Sequence, residues 1–206
     1  MAIETPEYRL ISSEGKFELR EYDSFLIAKT TVENDYKEAT VTGFRRIANY
    51  IFGGNKSKLS IDMTAPVIAN VPNKEGIYNI IFVMPKEHTL SSLPLPNNDQ
   101  VKIENYNFGK TAVVKFGGWA TNSRTKYYKS MLEEYLSEKE FISSGKFLVA
   151  QYNSPYALPP FRKNEIIVPI KWLKRSKRLE IGCRVCILNY ILINNIQAFW
   201  KYPYTI

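Results

Sequence analysis

The chain has 206 residues, 45% of them hydrophobic and 14% aromatic, enough to bury one sizeable core, and two cysteines rule out a disulfide-built body. The net charge of +8 is uneven: residues 171–206 hold seven bases and one acid, so the first 170 residues carry 21 bases against 19 acids. That nearly neutral body argues against a general phosphate-binding surface, and nucleic acid is not an expected partner.

The opening MAIETPEYRL has neither an apolar signal-peptide core nor a Ser/Arg-rich transit stretch. A cytoplasmic setting is expected, with an organelle such as the chloroplast left open should a transit peptide be missing. YRLIS and KFELREY flank Glu14-Gly15 and predict a hairpin. Phe17 and Leu19 alternate with Glu18 and Arg20, which predicts a strand with one wet face. FLIAKTTV reads as a more buried strand. Asp35 with Glu38 three residues on resembles a capping box, and Tyr36, Thr40, Phe44, Ile47 and Ile51 then form one helical face that Gly53-Gly54 ends. KLSIDMTAPVIANV and IYNIIFVMP predict two more strands, and PKEHTLSSLPLPNNDQ reads as a linker.

The second half repeats the order. VKIENYNFGKTAVVKFGG gives two strands around Asn107-Phe108-Gly109. Asn122-Ser123 is the expected cap of a helix whose face is Tyr128, Met131, Leu132, Tyr135 and Leu136, with Gly145 as its stop. KFLVAQYNSPYALPPF and NEIIVPI close the body. Phe17 and Val101 lie 84 apart, and Pro66 and Pro155 lie 89 apart. The expectation is an α+β fold of two duplicated ββαββ halves, with a strand in each half that stops pairing at matching prolines.

No Ser-His-Asp or Cys-His set can be assembled in the body, and no phosphate-binding loop or dinucleotide fingerprint is present. Asp62 and Glu165 read as acids at matching sites in the two halves. They leave open an enzyme of hydrolase type or an effector-binding module, against the plainer pairing of Glu165 with Arg162 or Lys163. His88 reads as a solvated linker residue and Met63 as core filler. Residues 171–206 form an atypical tail, expected to be disordered or loosely docked, whose Cys183-x-x-Cys186 is half a zinc site at best. Its apolar run from Val185 to Ile193 is too short to span a bilayer, which leaves a weak membrane-surface contact through the tail as an open reading.

YIFGGN, MTAPV, VKFGGWAT and AQYNSPYALPPFRKNEI, in that order, resemble the SOUL/haem-binding-protein family over residues 4–170, with a plant-like member as the expectation. The resemblance implies a distorted antiparallel β-barrel flanked by two helices. It also implies a soluble, non-enzymatic carrier or buffer that binds haem or a related tetrapyrrole reversibly. By the same resemblance the apolar floor is Phe44, Ile47, Ala48 and Ile51, with Tyr156 and Phe161 opposite. Arg45 and Arg46 on the helix, and Arg162 and Lys163 on the loop, are placed to meet the ligand's carboxylates. Asn49 and Leu158 stand where other members carry bases, and the one histidine, His88, lies in the linker, so no protein axial ligand is expected.

Overall fold

The computed structural model describes residues 3–73, 75–154 and 156–172. One compact unit spans Met1–Lys171. The expectations for the tail lie outside the described residues.

Among the described residues, ten strands and two long helices follow one another. They are β1 (Tyr8–Glu14), β2 (Phe17–Tyr22), β3 (Phe25–Glu33), α1 (Tyr36–Ile51), β4 (Val67–Asn70), β5 (Ile77–Val83), β6 (Val101–Tyr106), β7 (Gly109–Gly117), α2 (Asn122–Glu138), β8 (Phe141–Ser143), β9 (Leu148–Gln151) and β10 (Lys163–Trp172). The sheet runs β1-β2-β7-β10-β9-β4-β5-β3-β6, with β8 on β10, and the ladders between these strands are antiparallel. The fold is α+β, a distorted antiparallel barrel flanked by helices.

Apart from the edge strand β1, the order is a palindrome. Exchange of the halves carries β3-β5-β4 onto β7-β10-β9, with the axis between β4 and β9. The flanking strands are swapped: β2 pairs with β7 of the other half, and β6 pairs with β3. The register repeats as well. Phe17 faces Val114 and Val101 faces Thr30, and both members of the second pair shift by the same 84 positions to give the first.

The expected match between the two prolines does not hold. Val67 at the start of β4 faces Gln151 at the end of β9, and Asn70 faces Leu148. Pro66 therefore precedes its strand, whereas Pro155 lies in the chain after the end of its own. The two segments are neighbours across the axis rather than equivalents. Paired strand is also shorter than KLSIDMTAPVIANV predicts, since only Val67–Asn70 joins the ladder.

Alternation splits the central strands between two cores. Ile80, Phe82, Val114, Val149 and Ile166 meet Ile47, Ile51, Leu132 and Tyr135 from the helices. Ile27, Ile81, Val113, Leu148 and Ile167 fill the inner face. Rings draw the ends of the sheet together there. Phe108 lies 5.3 Å from Tyr22 of β2 and 5.6 Å from Phe25 of β3, strands at opposite ends of the order. Asp35 caps α1, its Oδ1 accepting from the N–H groups of Lys37 and Glu38. Gly53, at φ +97, follows the C-cap Phe52. The cap of α2 is Thr121, one residue before the expected position, and Lys139 ends the helix well before Gly145.

Candidate functional site: a groove on the pseudo-twofold axis

An open groove of about 890 Å³ lies between the N-terminal ends of the two helices, above the strands that meet on the axis. That size suits a cofactor-sized ligand. Val41 and Phe44 of α1, Val67 of β4, and Trp119 and Ala120 before α2 supply its apolar surface. Phe44 is fixed from below by Phe82, with ring centres 5.4 Å apart. Asp35, Tyr36 and Lys37 at the start of α1, with Thr121 and Asn122 at the start of α2, bring two helix N-termini to the rim. Their partial positive charge adds to that of Lys37, Arg45 and Arg162. Asp35 is the one carboxylate among the described lining residues, and it is committed to its cap.

Arg162 is the most constrained of these cations. Its guanidinium carbon lies 3.6 Å from the centre of the Trp119 ring, and its Nε donates to the Ala157 carbonyl at 2.9 Å. Asn164 ties the same loops together by donating to the Gly118 carbonyl at 2.7 Å. Tyr36 borders the groove with a buried hydroxyl that has no hydrogen-bond partner. Burial pushes that phenol up to about 12, and the neighbouring Tyr78 adds to the shift.

Of the residues named from the sequence, Phe44, Arg45 and Arg162 line the groove together. Ile47 and Ile51 are buried in the core against the sheet, and Ala48 is buried beside them. Tyr156 and Phe161 stand exposed on the β9–β10 loop, outside the lining. Arg46 turns to the edge of β3, donating to the Thr31 carbonyl at 3.1 Å. The groove follows the stripe Lys37, Thr40, Val41, Phe44 and Arg45, one step around the helix from the face that packs on the sheet. Trp119 was within reach of the sequence, because it sits in the quoted VKFGGWAT.

Asp62 and Glu165 are not a matched pair. Asp62 is exposed ahead of β4, whereas Glu165 is buried on the inner face. Glu165 takes two hydrogen bonds from Arg20, at 2.8 and 2.7 Å, and one from the Tyr152 hydroxyl at 2.7 Å. Its partner is therefore Arg20, not the Arg162 or Lys163 expected from the sequence. Met63 is exposed and lies outside any strand. His88 is half-buried in a separate pocket of about 450 Å³ with Glu4, Asp23 and Leu90.

The described residues include no cluster of three or more His, Cys, Asp or Glu suited to a metal ion. The described lining offers amides, hydroxyls, a capped carboxylate, an ammonium and guanidinium groups, and no His, Cys or Met. This set fits a flat amphiphile held by its faces and its acidic groups. Residues 3–169 match the SOUL heme-binding protein family. The chain belongs to that family. Among SOUL relatives, human heme-binding protein 2 is 30% identical over 176 residues, covering 80% of this chain and 85% of that one. Heme-binding protein 1 of Xenopus laevis is 25% identical over 174 residues, with 80% and 90% covered. The SOUL fold extends further. A solved structure titled the EcmrR C-terminal domain superposes with a TM-score of 0.58 at 10% identity, covering 81% of this chain and 99% of that one. A hydrolase from Listeria innocua superposes at 0.55 with 11% identity, covering 78% and 94%.

Proposed function

We propose that the groove binds haem or a related tetrapyrrole reversibly, and that the protein is a soluble, non-enzymatic carrier or buffer of such molecules in the cytoplasm. The carrying observation is the placement of Arg45 and Arg162 on either side of an apolar floor built from Phe44, Val41 and Trp119. A macrocycle buries its faces on that floor, and the guanidinium groups pair with its carboxylates. The names of the SOUL relatives support the same ligand class. Binding proceeds without a strong bond from the protein to the iron, because the described lining holds no imidazole, thiolate or thioether and the Tyr36 phenol is held protonated. A weakly held group that can leave again suits a carrier. The hydrolase reading through Asp62 and Glu165 has no such support, since Glu165 is spent on Arg20 and Tyr152.

Titration with haemin, followed at the Soret band, is expected to show a saturable shift at micromolar protein. Phe44→Asp is expected to weaken binding at least about ten-fold, and Arg162→Ala by a similar factor. Absence of a saturable shift with the wild-type chain sinks the proposal.

A further inference from the structure

Beside the groove, the β9–β10 loop bares three large apolar side chains within six residues. Tyr156 keeps 93% of its surface in solvent, Phe161 71% and Leu158 64%. The loop carrying them is held in shape. Ala157 N–H donates to the Ser154 carbonyl at 3.0 Å, Arg162 Nε to the Ala157 carbonyl at 2.9 Å, and Lys163 N–H to Asn153 Oδ1 at 2.6 Å. Two prolines stiffen the turn at Pro159–Phe161. The body thus fixes the loop and leaves its apolar tips uncovered. Single exposed apolar residues need no explanation, but these three share one short loop, and Arg162 directly after it stacks on Trp119, itself 50% exposed.

Tyr, Trp, Leu and Phe are the side chains that settle at the boundary between lipid headgroups and acyl chains. The charges around them are mostly positive. Lys163 follows the loop, and Lys37 and Arg45 stand on the groove rim, while the rim's one described carboxylate caps α1. Anionic headgroups complement that set. A protein partner seated on the same patch would meet lysines, which are depleted from the buried centres of protein interfaces. We propose that the Tyr156–Phe161 loop docks the protein on anionic lipid surfaces, its apolar side chains entering the interface while Lys37, Arg45 and Lys163 face the headgroups. The contact is peripheral, since no described helix is long and apolar enough to cross a membrane. Its purpose rests on the tetrapyrrole reading: a flat amphiphile partitions into bilayers, and a groove opening beside the docked loop can exchange it there.

Flotation of the full, ligand-free chain with phosphatidylcholine vesicles, with and without phosphatidylserine, tests this. The wild type is expected to float with the mixed vesicles, to dissociate at high salt, and to bind pure phosphatidylcholine at least about ten-fold less. Joint replacement Tyr156→Ser, Leu158→Ser and Phe161→Ser is expected to lower partitioning at least about ten-fold. The apolar set Tyr156→Phe, Leu158→Met and Phe161→Leu is expected to retain it within about two-fold. Binding that survives the serine replacements overturns the loop as the docking element and passes the contact to another segment. Absence of binding to either vesicle also overturns the proposal and leaves the loop to a protein partner. Protein and vesicles carry no tetrapyrrole, so either failure is distinct from a failed haemin titration.

Discussion

Arg20 is 1% exposed, and each of its three nitrogens is engaged. Nε donates to Glu18 at 2.8 Å, Nη1 to the Tyr22 hydroxyl and to Glu165, and Nη2 to Glu165. The Tyr8 ring covers it at 4.1 Å, and Lys115 pairs with the other oxygen of Glu18, so two acids and two bases balance. Burial alone would lower the arginine's pKa, but the bonds and charge of Glu165 outweigh it and raise it. Burial pushes Glu18 up, and its bonds from Lys115 and Arg20 more than reverse that, leaving it below its ordinary value. Removing the arginine leaves Glu165 buried with only the Tyr152 hydroxyl and Glu18 with Lys115 alone, so Arg20→Met is expected to cost about 3–5 kcal/mol at neutral pH. A buried carboxylate left without its arginine binds protons more readily in the folded state than in the unfolded one. The stability gap between variant and wild type in urea titrations is therefore expected to narrow as pH falls. The Tyr36 hydroxyl is the converse case, buried with no partner. Tyr36→Phe is expected to stabilise by about 1 kcal/mol. Its pKa is raised from 10.0 to about 12, so between those values the unfolded chain loses a proton that the folded chain keeps, and stability falls with rising pH. The phenylalanine variant is expected to lose about 1.4 kcal/mol per pH unit of that slope, which urea midpoints across the window would reveal.

The position of α1 depends on one small residue. A Cβ placed on Gly43 would lie 2.2 Å from Cγ1 of Ile80 on β5, a distance real atoms do not adopt. Gly43 lets the helix backbone rest on the sheet, which fixes the depth of Val41 and Phe44 in the groove wall. Gly43→Ala is expected to destabilise by about 1–3 kcal/mol, net of its better helix propensity, and to weaken haemin binding as the helix is lifted. Thermal melts and the Soret titration check the two effects separately. The same helix marks the limit of what the sequence discloses. Its cap, the core residues Ile47 and Ile51 and its glycine stop are legible from residue spacing, because they answer to local geometry. The groove stripe was legible only in part, at Phe44 and Arg45, since it is defined by what lies opposite: Trp119 and the start of α2, more than 70 residues away. Strand β2 is a second instance. Its alternation reads as apolar in and charged out, yet Glu18 and Arg20 are buried. Glu165, the partner of Arg20, is 145 positions from it in the chain, and only the curled sheet brings it near.

The repeated order of elements was legible, but the exchange of strands between the halves was not, and that exchange governs how the molecule holds together. Three ladders cross between halves: β2 with β7 through six residue pairs, β3 with β6 through six, and β4 with β9 through four. The ion cluster crosses too, with Arg20 in one half and Glu165 in the other. The rings that close the inner core take Tyr22 and Phe25 from the first half and Tyr106 and Phe108 from the second. The connection between halves matters less as a covalent link than as a packed segment. Leu93 is buried, and the Pro94 carbonyl accepts from the Tyr50 hydroxyl at 3.0 Å, while Leu90 and Ser91 are exposed. A cut between Leu90 and Ser91 thus separates two fragments that each lack half of their sheet. Residues 1–90 alone would leave β2 with only the β1 hairpin, which is marginal in water, and would bury Arg20 without a carboxylate from β10. Residues 91–206 alone would leave β6 without any strand to pair with. Each fragment is expected to be unfolded by itself, with no cooperative thermal transition. An equimolar mixture is expected to recover the circular-dichroism spectrum and gel-filtration volume of the whole chain, because the edges left open on one fragment are those the other fills. A cooperative transition in either isolated fragment would mean that a half carries its own complete core, contrary to the exchange of β2 and β6.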